Sequence, residues 1–233
     1  SPDGQALAVL AGGATLFSPS SGAELHSLFP ASAIRSAICS SFLSFSPDGA
    51  TLAVVEGDTV RLFDVATGQE TNTLVAKGAF AIAFAADGKN LFAGSWEGIT
   101  MLDVASGQAV RTFGEGSRGT ECLVLSPDGA LLASGGISND AVILWEAATG
   151  RQLRTFAGHK EGVLRLAFSP DGRILASSGR DVHIRLWDVA TGDELRSLVG
   201  HAQAAESLTF SPDGVTLASA GPDRAVRLWR VAP

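Results

Sequence analysis

Residues 164–177, Leu164-Arg165-Leu166-Ala167-Phe168-Ser169-Pro170-Asp171-Gly172-Arg173-Ile174-Leu175-Ala176-Ser177, decide the fold. They read as two short strands, 164–168 and 174–177, joined at Asp171-Gly172. Asp-Gly is a strong hairpin signal because both residues tolerate positive φ. Outward from this hairpin, Asp181 begins a second turn and residues 183–187 make a third strand. Thr191-Gly192 makes a third turn, and residues 194–199 make a fourth strand. No part of the chain shows the capped 3.6-residue periodicity of a helix.

The same pattern recurs. Ser-Pro-Asp-Gly stands at 1–4, 46–49, 126–129, 169–172 and 211–214, with a degenerate Ala-Ala-Asp-Gly at 85–88. Successive copies lie 45, 39, 41, 43 and 42 residues apart. An apolar strand follows each copy and ends at Phe17, Phe63-Asp64, Leu102-Asp103, Trp145-Glu146, Trp187-Asp188 and Trp229-Arg230. A Thr-Gly or Ser-Gly turn comes next at 67–68, 106–107, 149–150 and 191–192. Four antiparallel strands in a repeat of this length make one propeller blade. A blade cannot bury both faces alone, so blades stack, and Ala-Ser at 133–134, 176–177 and 218–219 permits close packing. The expected fold is all-β: a propeller of four-stranded antiparallel blades, in a single domain over residues 1–233. Six blades are visible, at about 1–40, 41–77, 78–117, 118–158, 159–200 and 201–233.

Two strands are missing from six full blades: the innermost of the first and the outermost of the last. The chain opens Ser1-Pro2-Asp3-Gly4, and its only methionine is Met101. It therefore reads as an excised piece of a longer protein, whose ring has six or seven blades. Open strand edges are expected near residues 6–10 and 226–229, and such edges invite self-association.

The repeats resemble WD repeats, the WD40 family, over essentially the whole chain. One unit carries Gly158-His159, the turn at 169–172, Leu175-Ala176-Ser177, Asp181 and Trp187-Asp188. The next carries Gly200-His201, the turn at 211–214, Leu217-Ala218-Ser219, Asp223 and Trp229. The resemblance implies a buried hydrogen-bonded tetrad in each: His159, Ser177, Asp181 and Trp187, then His201, Ser219, Asp223 and Trp229. Such a network persists only when every member is satisfied. Its Ser, His and Asp mimic a hydrolytic triad. The Trp partner and the repetition point instead to a structural staple, so no catalytic residue is assigned. Elsewhere the set is incomplete, with Asn139 in the Asp place and Leu102 and Phe63 in the Trp place. Those N-terminal blades are expected to rely on apolar packing.

Charge and composition limit the partners. The net charge is −7 and the pI about 5.0. An acidic domain suits nucleic acid poorly, because phosphates are bound mainly through Lys and Arg. No apolar run reaches the roughly 18 residues of a membrane span, so no membrane partner is expected. Cys39 and Cys122 stand 83 residues apart without a motif and read as free thiols of a reducing, cytoplasmic compartment. The residue usage, with no Tyr and many Ala and Gly, suggests a GC-rich bacterial source. Gly114-Glu115-Gly116-Ser117-Arg118-Gly119 fits G-x-G-x-x-G. A dinucleotide site needs a helix after it, whereas a strand follows here, so the stretch is an inter-blade loop. His26, His159, His183 and His201 are too dispersed for a metal site. No metal or cofactor is expected.

A protein or peptide partner remains. In the family, contacts come from the start of each innermost strand and from the residue before the tetrad Asp. By register these are Phe80 and Trp96, Glu121 and Ser138, Leu164 and Arg180, and Glu206 and Pro222. The unit of Trp96 is one residue short of the pattern, which loosens its alignment. Trp and Arg are typical binding anchors. Packing between blades is the competing role for Phe80 and Trp96. The expected function is a non-catalytic interaction scaffold or sensor in a larger signalling or regulatory protein. Two alternatives are a propeller accessory to a hydrolase or periplasmic translocation protein, and a lactonase-like or quinoprotein-like enzyme ring.

Overall fold

The computed structural model describes residues 1–10, 13–29, 42–115 and 119–231. Cys39 and residues 116–118 of the glycine loop lie outside them. The chain divides into two compact units, Ser1–Thr112 and Phe113–Pro233. Each is built of three antiparallel sheets, the blades of a β-propeller, and no helix occurs among the described residues.

In the first unit, blade 1 is β1 (Leu7–Leu10), β2 (Ala14–Phe17) and β3 (Glu24–Phe29). Blade 2 is β4 (Leu43–Phe45), β5 (Thr51–Glu56), β6 (Thr59–Asp64) and β7 (Glu70–Val75). Blade 3 is β8 (Ala81–Phe84), β9 (Asn90–Ser95), β10 (Gly98–Asp103) and β11 (Ala109–Phe113). In the second unit, blade 4 is β12 (Cys122–Leu125), β13 (Leu131–Gly136), β14 (Asn139–Glu146) and β15 (Arg151–Ala157). Blade 5 is β16 (Val163–Phe168), β17 (Ile174–Gly179), β18 (Ile184–Asp188) and β19 (Glu194–Leu198). Blade 6 is β20 (Ser207–Phe210), β21 (Thr216–Ala220) and β22 (Val226–Arg230). The three-stranded sheets are thus the first and the last, as the repeat arithmetic requires.

Local hydrogen bonds explain the turns. At each Ser-Pro-Asp-Gly, the Ser hydroxyl donates to the Asp carboxylate and accepts the amide that opens the next strand. In blade 5, Ser169 Oγ lies 2.6 Å from Asp171 Oδ1 and 2.9 Å from the Ile174 amide. Gly172 completes the turn at φ +71°, a left-handed value that favours glycine. Blade 3 has Ala85 in the Ser place. There Asp87 accepts from the amides of Lys89 and Asn90 and from the Asn90 side chain, so the turn survives without the hydroxyl. The other recurrent turn is held by the carboxylate that ends the third strand: Asp64 Oδ1 accepts from the Thr67 amide (2.8 Å) and hydroxyl (2.7 Å).

The core lies in the seams between blades. Leu16, Leu52, Val54 and Phe63 fill the seam of blades 1 and 2, and Val60, Leu74, Ile82, Leu91 and Leu102 that of blades 2 and 3. Cys122, Val142, Phe156, Leu175 and Trp187 fill the seam of blades 4 and 5, and Ile184, Leu198, Ala205 and Leu217 that of blades 5 and 6. Stacking therefore buries what one blade leaves open. Blade 2 adds a cation–π stack, with the Arg61 guanidinium 5.1 Å from the Phe29 ring centre and 5.0 Å from that of Phe63.

Outer strands also clasp the next blade. Asn72 donates to the carbonyls of Val104 and Ala105, Arg154 to those of Ala190 and Thr191, and Arg196 to that of Arg230. His26 Nε2 donates to the Ala66 carbonyl at 2.9 Å. All four residues stand four positions after a turn glycine: Gly22, Gly68, Gly150 and Gly192. At Gly68 a Cβ would lie 2.6 Å from the His26 ring, so this clasp needs glycine for space as well as for its φ of +69°.

Candidate functional site

Antiparallel order fixes which loops share an end of a blade. The start of the first strand and the turn between the second and third lie together, opposite the Ser-Pro-Asp-Gly and Thr-Gly turns. The candidate contact residues and the His and Asp of each tetrad belong to the first of these ends, whereas each tetrad Trp reaches its Ser from the far part of the third strand.

In blade 5, His159 Nδ1 donates to Asp181 Oδ1 at 2.9 Å, and Ser177 Oγ donates to His159 Nε2 at 2.8 Å. Trp187 Nε1 donates to Ser177 Oγ at 2.8 Å. Asp181 also accepts the amide of His183 and a contact from Arg185 at 3.5 Å. Burial holds the His159 imidazole below its ordinary value, against the pull of Asp181, so the ring is neutral near pH 7. For Asp181 burial acts upward, but the hydrogen bond from His159, joined by the His183 amide and nearby Arg185, outweighs it and leaves the carboxyl below its ordinary range. In blade 6 the same chain runs from Asp223 through His201 (2.8 Å) and Ser219 (2.7 Å) to Trp229 (2.8 Å). The hydrogen bond from His201 lowers the Asp223 carboxyl below its ordinary value. In blade 4, Trp145 Nε1 donates to Ser134 Oγ at 2.8 Å, the link that Trp187 makes to Ser177. Asn139 there accepts the Ala141 amide.

The serine is the atom a hydrolase would need. Ser177 is 0% exposed, and its oxygen already serves both imidazole and indole. The tetrad is therefore closed to a substrate and acts as a buried clamp from the loop before β16 to the β17–β18 turn. Among the described residues no group of three His, Cys, Asp or Glu side chains is placed to hold a metal ion. His183 Nδ1 instead bonds the Ser197 hydroxyl at 2.8 Å.

The candidate contact residues differ in what they offer. In the first unit, Phe80 and Trp96 meet edge to face with ring centres 5.5 Å apart. Trp96 occupies a two-residue turn between Ser95 and Gly98, which pair directly, and this accounts for the short unit. It remains 50% exposed. In the second unit, Arg180, Glu206, Ser138 and Pro222 are exposed, whereas Glu121 is only 6% exposed and offers little surface. Leu164 sits on a β-bulge where the β16–β17 register slips between Val163 and Arg165. A bulge re-aims its side chain. The residue missed from sequence is Arg165, whose Nε donates to the Glu206 carbonyl at 2.7 Å and whose guanidinium also bonds the Leu164 carbonyl, which joins Leu164 and Glu206. Nothing in its repeat position singles it out, because the bulge that turns it is set by pairing.

Residues 107–146, 150–188 and 192–230 each match the family model described as WD domain, G-beta repeat. Together they cover just over half of the chain, which therefore belongs to the WD40 family. No curated protein matches the sequence. Each matched segment starts at or near an outer strand: 150–188 contains β15 of blade 4 and β16–β18 of blade 5. The sequence repeat thus straddles two blades and links them covalently as well as by packing.

Proposed function

We propose that the protein is a non-catalytic interaction scaffold of a signalling or regulatory system, with a candidate contact surface for a protein or peptide in each unit: the blade end that carries Trp96 in the first and the one that carries Arg180 in the second. WD40 propellers are in general platforms for protein–protein interaction. The observation that carries the reading is Trp96, half-exposed yet fixed edge-on by Phe80. A rigid, exposed indole supplies a large contact area at small entropic cost. In the second unit, exposed Arg180 and the group of Leu164, Arg165 and Glu206 add charged and apolar surface at the same end of their blades. The closed tetrads favour binding over catalysis, because their serines have no free face.

The test compares affinity capture by the wild-type chain with Trp96→Ala and Arg180→Ala chains. Both substitutions lie on exposed side chains, so circular dichroism is expected to stay unchanged. Loss of a captured polypeptide from either variant supports the surface which that variant alters. Retention by both at wild-type levels sinks it.

A further inference from the structure

The seam of blades 4 and 5 opens into a cavity of about 530 Å³ at the end that carries the Ser-Pro-Asp-Gly and Thr-Gly turns. Its walls are mostly aliphatic. Blade 4 supplies Leu131 from β13, Leu144 from β14 and Leu153 from β15, and blade 5 supplies Val189 and Ala190 beyond β18. Leu144 and Val189 are 2% and 8% exposed and form the floor, whereas Leu153 stands 37% exposed at the lip. A cavity of this size, apolar with a few polar groups, has the form of a small-ligand site, whose volumes run at about 300–1,000 Å³. Its lining falls far short of the roughly 20–30 residues a side of a stable protein interface.

Three charged side chains also line it: Arg154, Arg173 and Asp188. Arg154 commits its terminal nitrogens to the carbonyls of Ala190 and Thr191. Asp188 accepts the Thr191 amide at 2.7 Å and so belongs to its own turn. Arg173 is left at the mouth with its side chain 85% exposed. Asp171, its one carboxylate neighbour among the described residues, lies 4.0 Å away and is itself bonded by the Ser169 hydroxyl at 2.6 Å. The cavity therefore joins an aliphatic floor to a guanidinium without a close counter-ion.

The repeat by itself does not produce this combination. By register, the seam of blades 2 and 3 puts Thr51 and Thr71 in the places of Leu131 and Leu153. The seams of blades 1 and 2 and of blades 5 and 6 put Ala50 and Val215 in the place of Arg173, each directly after its turn glycine.

We propose that this cavity binds a small amphiphilic carboxylate, its alkyl chain laid against Leu131, Leu153 and Val189 and its carboxylate on Arg173. The ring-free aliphatic walls suit a flexible alkyl body, and a guanidinium pairs a carboxylate through two parallel N–H donors. The site lies at the opposite blade end from Arg180 and in the other unit from Trp96, so it stands or falls independently of those surfaces.

The probes are hexanoate, octanoate and decanoate below their micellar concentrations, titrated into the full chain by calorimetry, with octanol and octylammonium as controls. Amide chemical shifts locate the contact. Expected is one saturable site whose affinity rises about twofold to fourfold per methylene. Octanol binds about threefold to fivefold more weakly than octanoate, and octylammonium does not bind. The shifts fall at residues 131, 153, 172–173 and 188–190. Arg173→Gln brings octanoate down to the level of octanol and leaves octanol unchanged, and Leu153→Asp abolishes both. Absence of saturable binding, affinity indifferent to chain length, equal binding of octanol and octanoate, or shifts confined to other residues would overturn the proposal. So would capture of a polypeptide that Leu153→Asp abolishes while octanoate fails to bind, which assigns the groove to a protein partner. Arg173→Gln changes only an exposed side chain and keeps the test decisive even if Leu153→Asp fails to fold.

Discussion

Ser177→Ala isolates the value of a complete tetrad. The hydroxyl accepts from Trp187 Nε1 and donates to His159 Nε2, both at 2.8 Å and both buried. Its removal leaves two buried polar atoms unpaired, at roughly 1–3 kcal/mol each, or about 2–6 kcal/mol together. For a chain of this size 1 kcal/mol moves Tm by about 2–4 °C, so the expected drop is on the order of 9 °C. Ser134→Ala is the matched control, because Ser134 accepts from Trp145 in a blade whose sequence has no histidine at the tetrad place. Its cost is expected to be about half as large. Urea unfolding followed by circular dichroism measures both. A Trp187→Phe background removes one of the two orphaned atoms and is expected to shrink the Ser177→Ala effect. Equal losses for Ser177→Ala and Ser134→Ala, or a Ser177→Ala loss below about 0.5 kcal/mol, would refute the idea that the imidazole link adds stability.

Acid is expected to loosen blade 5 in two stages. His159 is held below its ordinary 6.5 in the folded state, so its contribution is complete above pH 6.5 and fades as pH falls through the lower folded value. Asp181, also held below its ordinary 3.8, contributes fully above that pH and is lost beneath it. Calorimetry at pH 8 to 5 tests the first stage: His159→Gln lowers Tm at pH 7.5 and flattens the decline below 6.5, and an equally steep decline in the variant contradicts it. Val182 adopts φ +65°, a left-handed conformation costly for a β-branched side chain. Val182→Asn is expected to raise stability by about 1 kcal/mol, and an unchanged or lower Tm counts against strain there. Arg154→Ala removes the clasp on the Ala190 and Thr191 carbonyls. It is expected to cost roughly 1 kcal/mol, with Arg154→Lys recovering only part; wild-type Tm in the alanine variant means the clasp is idle.

The sequence by itself determined the strands, their order and the blade count. Each Ser-Pro-Asp-Gly and Asp-x-x-Thr-Gly turn is closed by hydrogen bonds among residues within about five positions, so its residue types are legible without knowing the fold. Repetition carried the tetrads as well: four residue types at fixed offsets meet in blades 5 and 6, and the gaps at Asn139, Leu102 and Phe63 mark where the network thins. What crosses between strands and blades was decided only in three dimensions. The clasp position is filled by His26, Asn72, Arg154 and Arg196, which share geometry but span three residue types, because a backbone carbonyl accepts from any donor that reaches it. The bulge at Leu164 and the burial of Glu121 both depend on register and on which blade stacks on which. Those are non-local pairings, and a hydrogen bond spanning 30 or 40 residues leaves no mark in the local sequence at either end.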